Sequence, residues 1–132
     1  MGNQVAFRGT NGNYLSRCNG CWLGGVRPDS AFVHAQTYAY PWALWTPFLL
    51  SNGKYVFRSD NGNLLARCYG CVPKAITSNF AFVHETNSSA PWAQWEVIYA
   101  NLPPLGITTF QADNGLYLKV CSGCEQNNAV SV

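Results

Sequence analysis

Residues 55–100 lie over residues 5–50 without a gap, and 18 of the 46 aligned positions are identical. An exact offset of 50 is an internal duplication, and it confines the chain to folds assembled from copies of one supersecondary unit. The shared frame reads Phe-Arg-x-x-Asn-Gly-Asn-x-Leu-x-Arg-Cys-x-Gly-Cys, then Ala-Phe-Val-His, then Pro-Trp-Ala-x-Trp. It runs Phe7 to Cys21, Ala31 to His34 and Pro41 to Trp45 in copy one, and Phe57 to Cys71, Ala81 to His84 and Pro91 to Trp95 in copy two. A third copy begins at Phe110 and keeps Asp113, Asn114, Gly115, Leu118 and the Cys121 to Cys124 motif, 53 residues on from copy two. No third Pro-Trp-Ala-x-Trp follows. The organisation expected is one domain over 1–132 with repeats 4–53, 54–106 and 107–132, the last incomplete.

Within a copy the apolar period is two. Val5 and Phe7 alternate with Ala6 and Arg8, Asn11-Gly12 breaks the run, and Tyr14 to Arg17 resumes it. Asn-Gly is the strongest short hairpin signal, and it recurs at Asn61-Gly62 and Asn114-Gly115. Ala31 to Ala35 and Trp45 to Leu50 read as two more strands, so a full copy carries four and no helix longer than a turn. Four-stranded units repeated three times predict an all-β chain of the β-trefoil type, with strands one and four of each unit in a six-stranded barrel and strands two and three capping it. Propeller blades are the competing geometry, but a propeller needs at least about four of them. With no fourth strand in copy three, the edge beside Val5 to Arg8 is left open. Such an edge calls for a strand from a second chain, in a homodimer, or from residues outside this sequence.

Composition removes whole classes of function. Charged residues make up 11% of the chain and the net charge is +2, with no Lys/Arg cluster, so nucleic acid and anionic membrane surfaces are poor partners. The longest apolar run, near Ala43 to Leu50, contains Pro47 and is far too short to span a bilayer, so no membrane insertion is expected. The N-terminus has no basic region followed by an apolar stretch, which points to the cytoplasm for the chain as written, or to secretion if a leader was removed. The six carboxylates form no recurring pair within a copy, and no nucleophile elbow, phosphate loop or dinucleotide fingerprint is present. The reading is therefore non-enzymatic, with no cofactor and no metal.

The motif Phe57 to Arg67 together with Pro91 to Ile98 resembles the repeat of the amaranthin-type plant agglutinins and, more distantly, of fascin-like trefoils. The resemblance covers both full copies and the first half of the third, and it rests on turn and core residues. It implies a β-trefoil that binds glycans or glycoproteins, as agglutinins do. The alternative it implies is a structural or protein-interaction module of the actin-bundling kind.

Six cysteines fall as three Cys-x-Gly-Cys pairs, Cys18/Cys21, Cys68/Cys71 and Cys121/Cys124, each directly after the second strand of its copy. Four chemistries compete. Structural zinc usually joins two such pairs closer in sequence than these. A redox dithiol needs a helix N-terminus that the following residues do not start. A short disulfide clamping each loop suits the intervening glycine, whereas free thiols suit the cytosol.

Trp45 and Trp95 begin strand four and read as core. Arg17 and Arg67 share the inward parity of Leu15 and Leu65 and are expected on the barrel rim, with their heads on backbone carbonyls. Trp42 and Trp92 instead follow a proline in a polar, Tyr- and Asn-rich loop, and His34 and His84 recur just before it. A sugar offers an apolar C–H face and a ring of hydroxyls, which an indole or phenol beside neutral donors and acceptors recognises. The candidate carbohydrate-binding residues are therefore Asn13, His34, Tyr38 and Trp42 in copy one and Asn63, His84, Asn87 and Trp92 in copy two. Copy three, without that loop, should carry no such site.

Overall fold

Three turns of one design start the copies. In the first, Gly9 N–H donates to Asn13 O at 2.7 Å and Gly12 N–H to Gly9 O at 3.0 Å, with Gly12 at φ 85°. The side-chain oxygen of Asn11 accepts the Asn13 N–H at 2.9 Å. The same bonds recur over 59–63 and 112–116, through Asn61 and Gly62 and through Asn114 and Gly115. These are three-residue loops, not the two-residue mirror-image turns that Asn-Gly suggests: the glycine takes the positive angle, and the asparagine works through its side chain.

The computed structural model describes residues 3–22, 24–73, 75, 79–100, 107–121 and 129–132. The strands are β1 Tyr14–Asn19, β2 Asp29–Ala35, β3 Thr46–Leu49, β4 Tyr55–Arg58, β5 Leu64–Tyr69, β6 Asn79–Glu85, β7 Glu96–Ala100, β8 Ile107–Gln111, β9 Lys119–Cys121 and β10 Ala129–Ser131. Two single-turn 3-10 helices, Pro41–Ala43 and Pro91–Ala93, carry the Trp42 and Trp92 loops, each with its proline at the first helical position. The described residues contain no α-helix, as the period-two pattern requires. The strands form open antiparallel sheets: one of eight, in the order β1-β2-β10-β6-β5-β4-β3 with β9 on β10, and the pair β7-β8.

Copy two has all four expected strands, whereas in copy one the segment 5–8 makes only isolated bridges, Val5 to Trp45 and Arg8 to Tyr14. The reason is pairing. β4, its counterpart, lies between β3 and the Tyr55 to Trp95 bridge, while 5–8 has no partner corresponding to β3 among the described residues.

The core explains why each copy repeats its large residues. Phe7, Phe57 and Phe110, one from each copy, pack as a ring triad with centroids 4.8 to 5.3 Å apart. Trp45 and Trp95 are wholly buried, and their indole N–H groups donate to the carbonyls of Leu15 and Leu65 at 3.0 and 2.9 Å. The third strands of the copies meet pairwise in a ring, Ser30 opposite Phe82, Phe80 opposite Ser131 and Ala129 opposite Phe32. A second apolar cluster, built from Trp22, Phe32, Phe80 and Phe82 with the Cys pairs, lies there.

The rim arginines differ from expectation: they bind carboxylates, not carbonyls. Arg17 grips Asp60 of copy two through two bonds of 2.7 and 2.9 Å and reaches Asp29 at 2.8 Å. Arg67 repeats this on Asp113 of copy three at 2.7 and 2.9 Å, with Asn79 in place of Asp29. A guanidinium matches a carboxylate two bonds at a time, which carbonyls pointing in different directions cannot offer. Each fork ties the second strand of one copy to the turn of the next.

These forks set an acid limit. Bonded to Arg17 and Arg67, Asp60 and Asp113 are held below the ordinary value of 3.8. A depressed folded-state pKa contributes stability above the unfolded value and loses it as pH falls through the folded one. Asp60→Asn should therefore cost about 1–2 kcal/mol at neutral pH, and its stability should fall less steeply than that of the parent below about pH 4. Urea midpoints measured from pH 2 to 7 check this; parallel curves would contradict it.

Candidate binding site

The copies diverge at the end of strand three, and that divergence builds the site. Position 35 is alanine and its counterpart 85 is glutamate. The Glu85 carboxylate accepts the backbone N–H groups of Thr86 and Asn87 at 3.0 and 3.1 Å, and also the indole N–H of Trp92. Burial pushes the Glu85 carboxyl up, but the Trp92 donor and the two backbone donors outweigh it and hold the pKa below its usual value. The result is a fixed anion with an indole locked beside it.

His84, Glu85, Thr86 and Trp92 line an open groove of about 470 Å³ together with Arg27, Arg67 and Tyr69. Trp92 is 42% exposed and Tyr69 75%, so both present ring surface to solvent. Burial, reinforced by Arg27, lowers the His84 pKa. Its buried Nδ1 has no hydrogen-bond partner. In copy one the corresponding Nδ1, that of His34, meets the Ser16 hydroxyl at 2.9 Å; copy two has Ala66 there, and the nitrogen is left in the groove wall without that partner.

Copy one gives a different surface. Tyr40 stacks on Trp42 with ring centroids 4.8 Å apart and planes 13° apart, and Tyr38 meets Tyr14 edge-on at 5.7 Å. Beside Tyr14 and Tyr38, a shallow depression is walled by Gln4, Ala6, Ala39 and Leu44.

Of the residues expected to bind, the structure brings His84 and Trp92 into one groove. Trp42 stands with Tyr40 and Tyr38 with Tyr14, as two separate aromatic pairs. Asn13 and Asn63 close the hairpin turns, where their N–H groups are held by Asn11 and Asn61. Asn87 shapes its own loop, accepting the Ser89 N–H at 2.9 Å. The sequence reading missed Glu85, Arg27 and Tyr40 as site residues. Glu85 was visible as the one carboxylate introduced where the two copies otherwise agree on Ala-Phe-Val-His; Arg27, far off in sequence, carried no comparable mark.

Two of the three Cys-x-Gly-Cys pairs are joined as disulfides, Cys18 to Cys21 and Cys68 to Cys71, with Cα atoms 5.7 and 5.6 Å apart. Cys124 and the side chain of Cys121 lie outside the described residues. Donor atoms of Cys18, Cys21 and His34 lie within 4.8 Å of one another. With both sulfurs engaged in the bridge, no thiolate is available there to hold a metal.

Compared with known proteins, the chain matches no family model and no curated relative. What the groove recognises has to be argued from its own chemistry.

The Trp92 donor makes a direct prediction. Trp92→Phe keeps an aromatic ring and removes the indole N–H, so the Glu85 carboxyl should rise towards its ordinary 4.5. A carbon-13 carboxyl titration by NMR reads this, and an unchanged midpoint would show that the indole does not hold the anion.

Proposed function

We propose that this chain is a β-trefoil carbohydrate-binding module of agglutinin-like character, acting without chemistry on its ligand. Support for the trefoil comes from the cyclic meeting of the three third strands, the one-per-copy phenylalanine triad, and strand-four tryptophans in the same place in copies one and two.

The observation that carries the functional reading is the Glu85–Trp92 pair. The indole face, exposed and rigid, suits the apolar C–H face of a pyranose. The carboxylate is already ionised and oriented, and it has acceptor capacity for sugar hydroxyls, whose bonds to an anion are among the stronger hydrogen bonds. His84 and Arg27 add polar groups around the rim of the groove. Sites of this kind are open, need little reorganisation and give weak single-site affinity that repetition can raise. Copy one, with a stacked tyrosine and tryptophan and no carboxylate, forms a second and chemically different surface that favours apolar sugar faces.

A filament-binding role of the fascin-like kind would need a basic face. The net charge of +2 and the engagement of Arg17 and Arg67 by carboxylates weigh against one.

A glycan array with the purified chain tests the reading. Glycan binding is expected, with Trp92→Ala losing at least about tenfold in affinity and Glu85→Gln a comparable amount, while the thermal melt of each variant stays close to that of the parent. Binding unaffected by both changes would remove this groove from the account, and an empty array would remove the function.

A further inference from the structure

We infer that the copy-two groove selects an amine-bearing pyranose, with the ammonium on Glu85 and a ring C–H face on Trp92. The inference rests on the sugar-binding reading and narrows it to a ligand class. Every residue that lines the groove is among those described.

The carboxylate is the starting point. One oxygen of Glu85 accepts the Trp92 indole N–H, and the other accepts the Thr86 and Asn87 N–H groups. A carboxylate has about four acceptor positions, so three donors fix its orientation and leave room for one more. An indole N–H points outward in the plane of its ring, which puts Glu85 at the rim of Trp92. A pyranose laid on the exposed indole face therefore carries its ring substituents towards that carboxylate. A hydroxyl there would make a hydrogen bond with one ionised partner. An ammonium makes one in which both partners are ionised, and the ring faces attract it as well. Tyr69, largely exposed, adds a second ring to the same groove.

The other charges of the groove suit a single ammonium. Arg67 is neutralised by Asp113, to which it donates at 2.7 and 2.9 Å. Burial and the neighbouring Arg27 both disfavour the protonated form of His84, so the histidine adds no fixed cation. Glu85 is the one carboxylate lining the groove. Arg27 lines it too and would repel a polycation, so one amine is favoured over a run of them. The net charge of +2 gives the chain no general pull on cations, and a preference for an amine has to come from this carboxylate.

Copy one supplies the contrast. Ala35 stands where copy two has Glu85, Gln36 where it has Thr86, and Trp42 stacks on Tyr40. That surface keeps aromatic rings without the acid, so it has nothing to set an amine apart from a hydroxyl.

The probes are the methyl glycosides of glucosamine and galactosamine, each beside its N-acetyl and its 2-hydroxy counterpart. Members of one set share a ring and differ only in the group at carbon 2. Affinities are read by NMR titration at about pH 6, where the amine is protonated and Glu85, held below 4.5, is ionised. In at least one set the amine should bind about tenfold more tightly than both counterparts and shift the Trp92 indole signal. In Glu85→Gln, and in Glu85→Ala, which installs the copy-one residue, that advantage should fall below about twofold; thermal melts show that both variants are folded, and the comparison within the parent chain needs no variant. Neutral sugars bound as well as the amines, or an amine preference that survives both substitutions, would overturn the inference and leave the sugar-binding reading standing. Binding of none of the probes would overturn it too, and an empty glycan array beside that result would remove the sugar-binding reading as well.

Discussion

The hydrogen bond from a buried strand-four indole to the carbonyl of a leucine in strand two is the contact on which the architecture depends. It is made twice, Trp45 to Leu15 and Trp95 to Leu65. A leucine carbonyl turned into an apolar core must be paired, and truncating the donor would leave it unsatisfied at about 1–3 kcal/mol beyond the lost packing. Because the donor belongs to the last strand of a copy and the acceptor to its second, one bond locks the copy shut. The backbone bridges of the same tryptophans to Val5 and Tyr55 then bring in the first strand.

Given closed copies, the joints between them are polar and directional. The Arg17–Asp60 and Arg67–Asp113 forks run from copy one to two and from two to three. The third member of the series would pair position 120 with position 10, and these are valine and threonine. The joint between copies three and one therefore lacks such a fork. The two full copies are free to differ where neither tie is made, at the loop after strand three. Ala35 ends strand three of copy one where copy two has Glu85, and Ser16 lies in strand two where copy two has Ala66, leaving one aromatic surface and one with a fixed anion.

Much of this was legible in the sequence because it was written at least twice. The all-β class, the strand positions in copy two, the core placement of Trp45 and Trp95 and the loop placement of Trp42 and Trp92 all follow from the period of two and the offset of 50. Other features were hidden for identifiable reasons. The partners of Arg17 and Arg67 are 43 and 46 residues away, and parity along one strand shows which side an arginine faces but not which turn of another copy lies beside it. Asn-Gly marked the three hairpins but not their loop length, because it serves both two- and three-residue loops. Residues 5–8 repeat the pattern of β4, yet among the described residues they lack the ladder that β3 gives β4, and only isolated bridges form. Glu85 appeared only as a carboxylate without a mate, since its partner is an indole and not a second acid.

The central claim, that the buried strand-four indoles lock each copy, is tested most directly by exchange of the indole protons. In a nitrogen-15 NMR spectrum followed after transfer to D2O, the Trp45 and Trp95 indole signals should persist long after that of the exposed Trp42 has gone. Loss of all three on the same timescale would contradict the account.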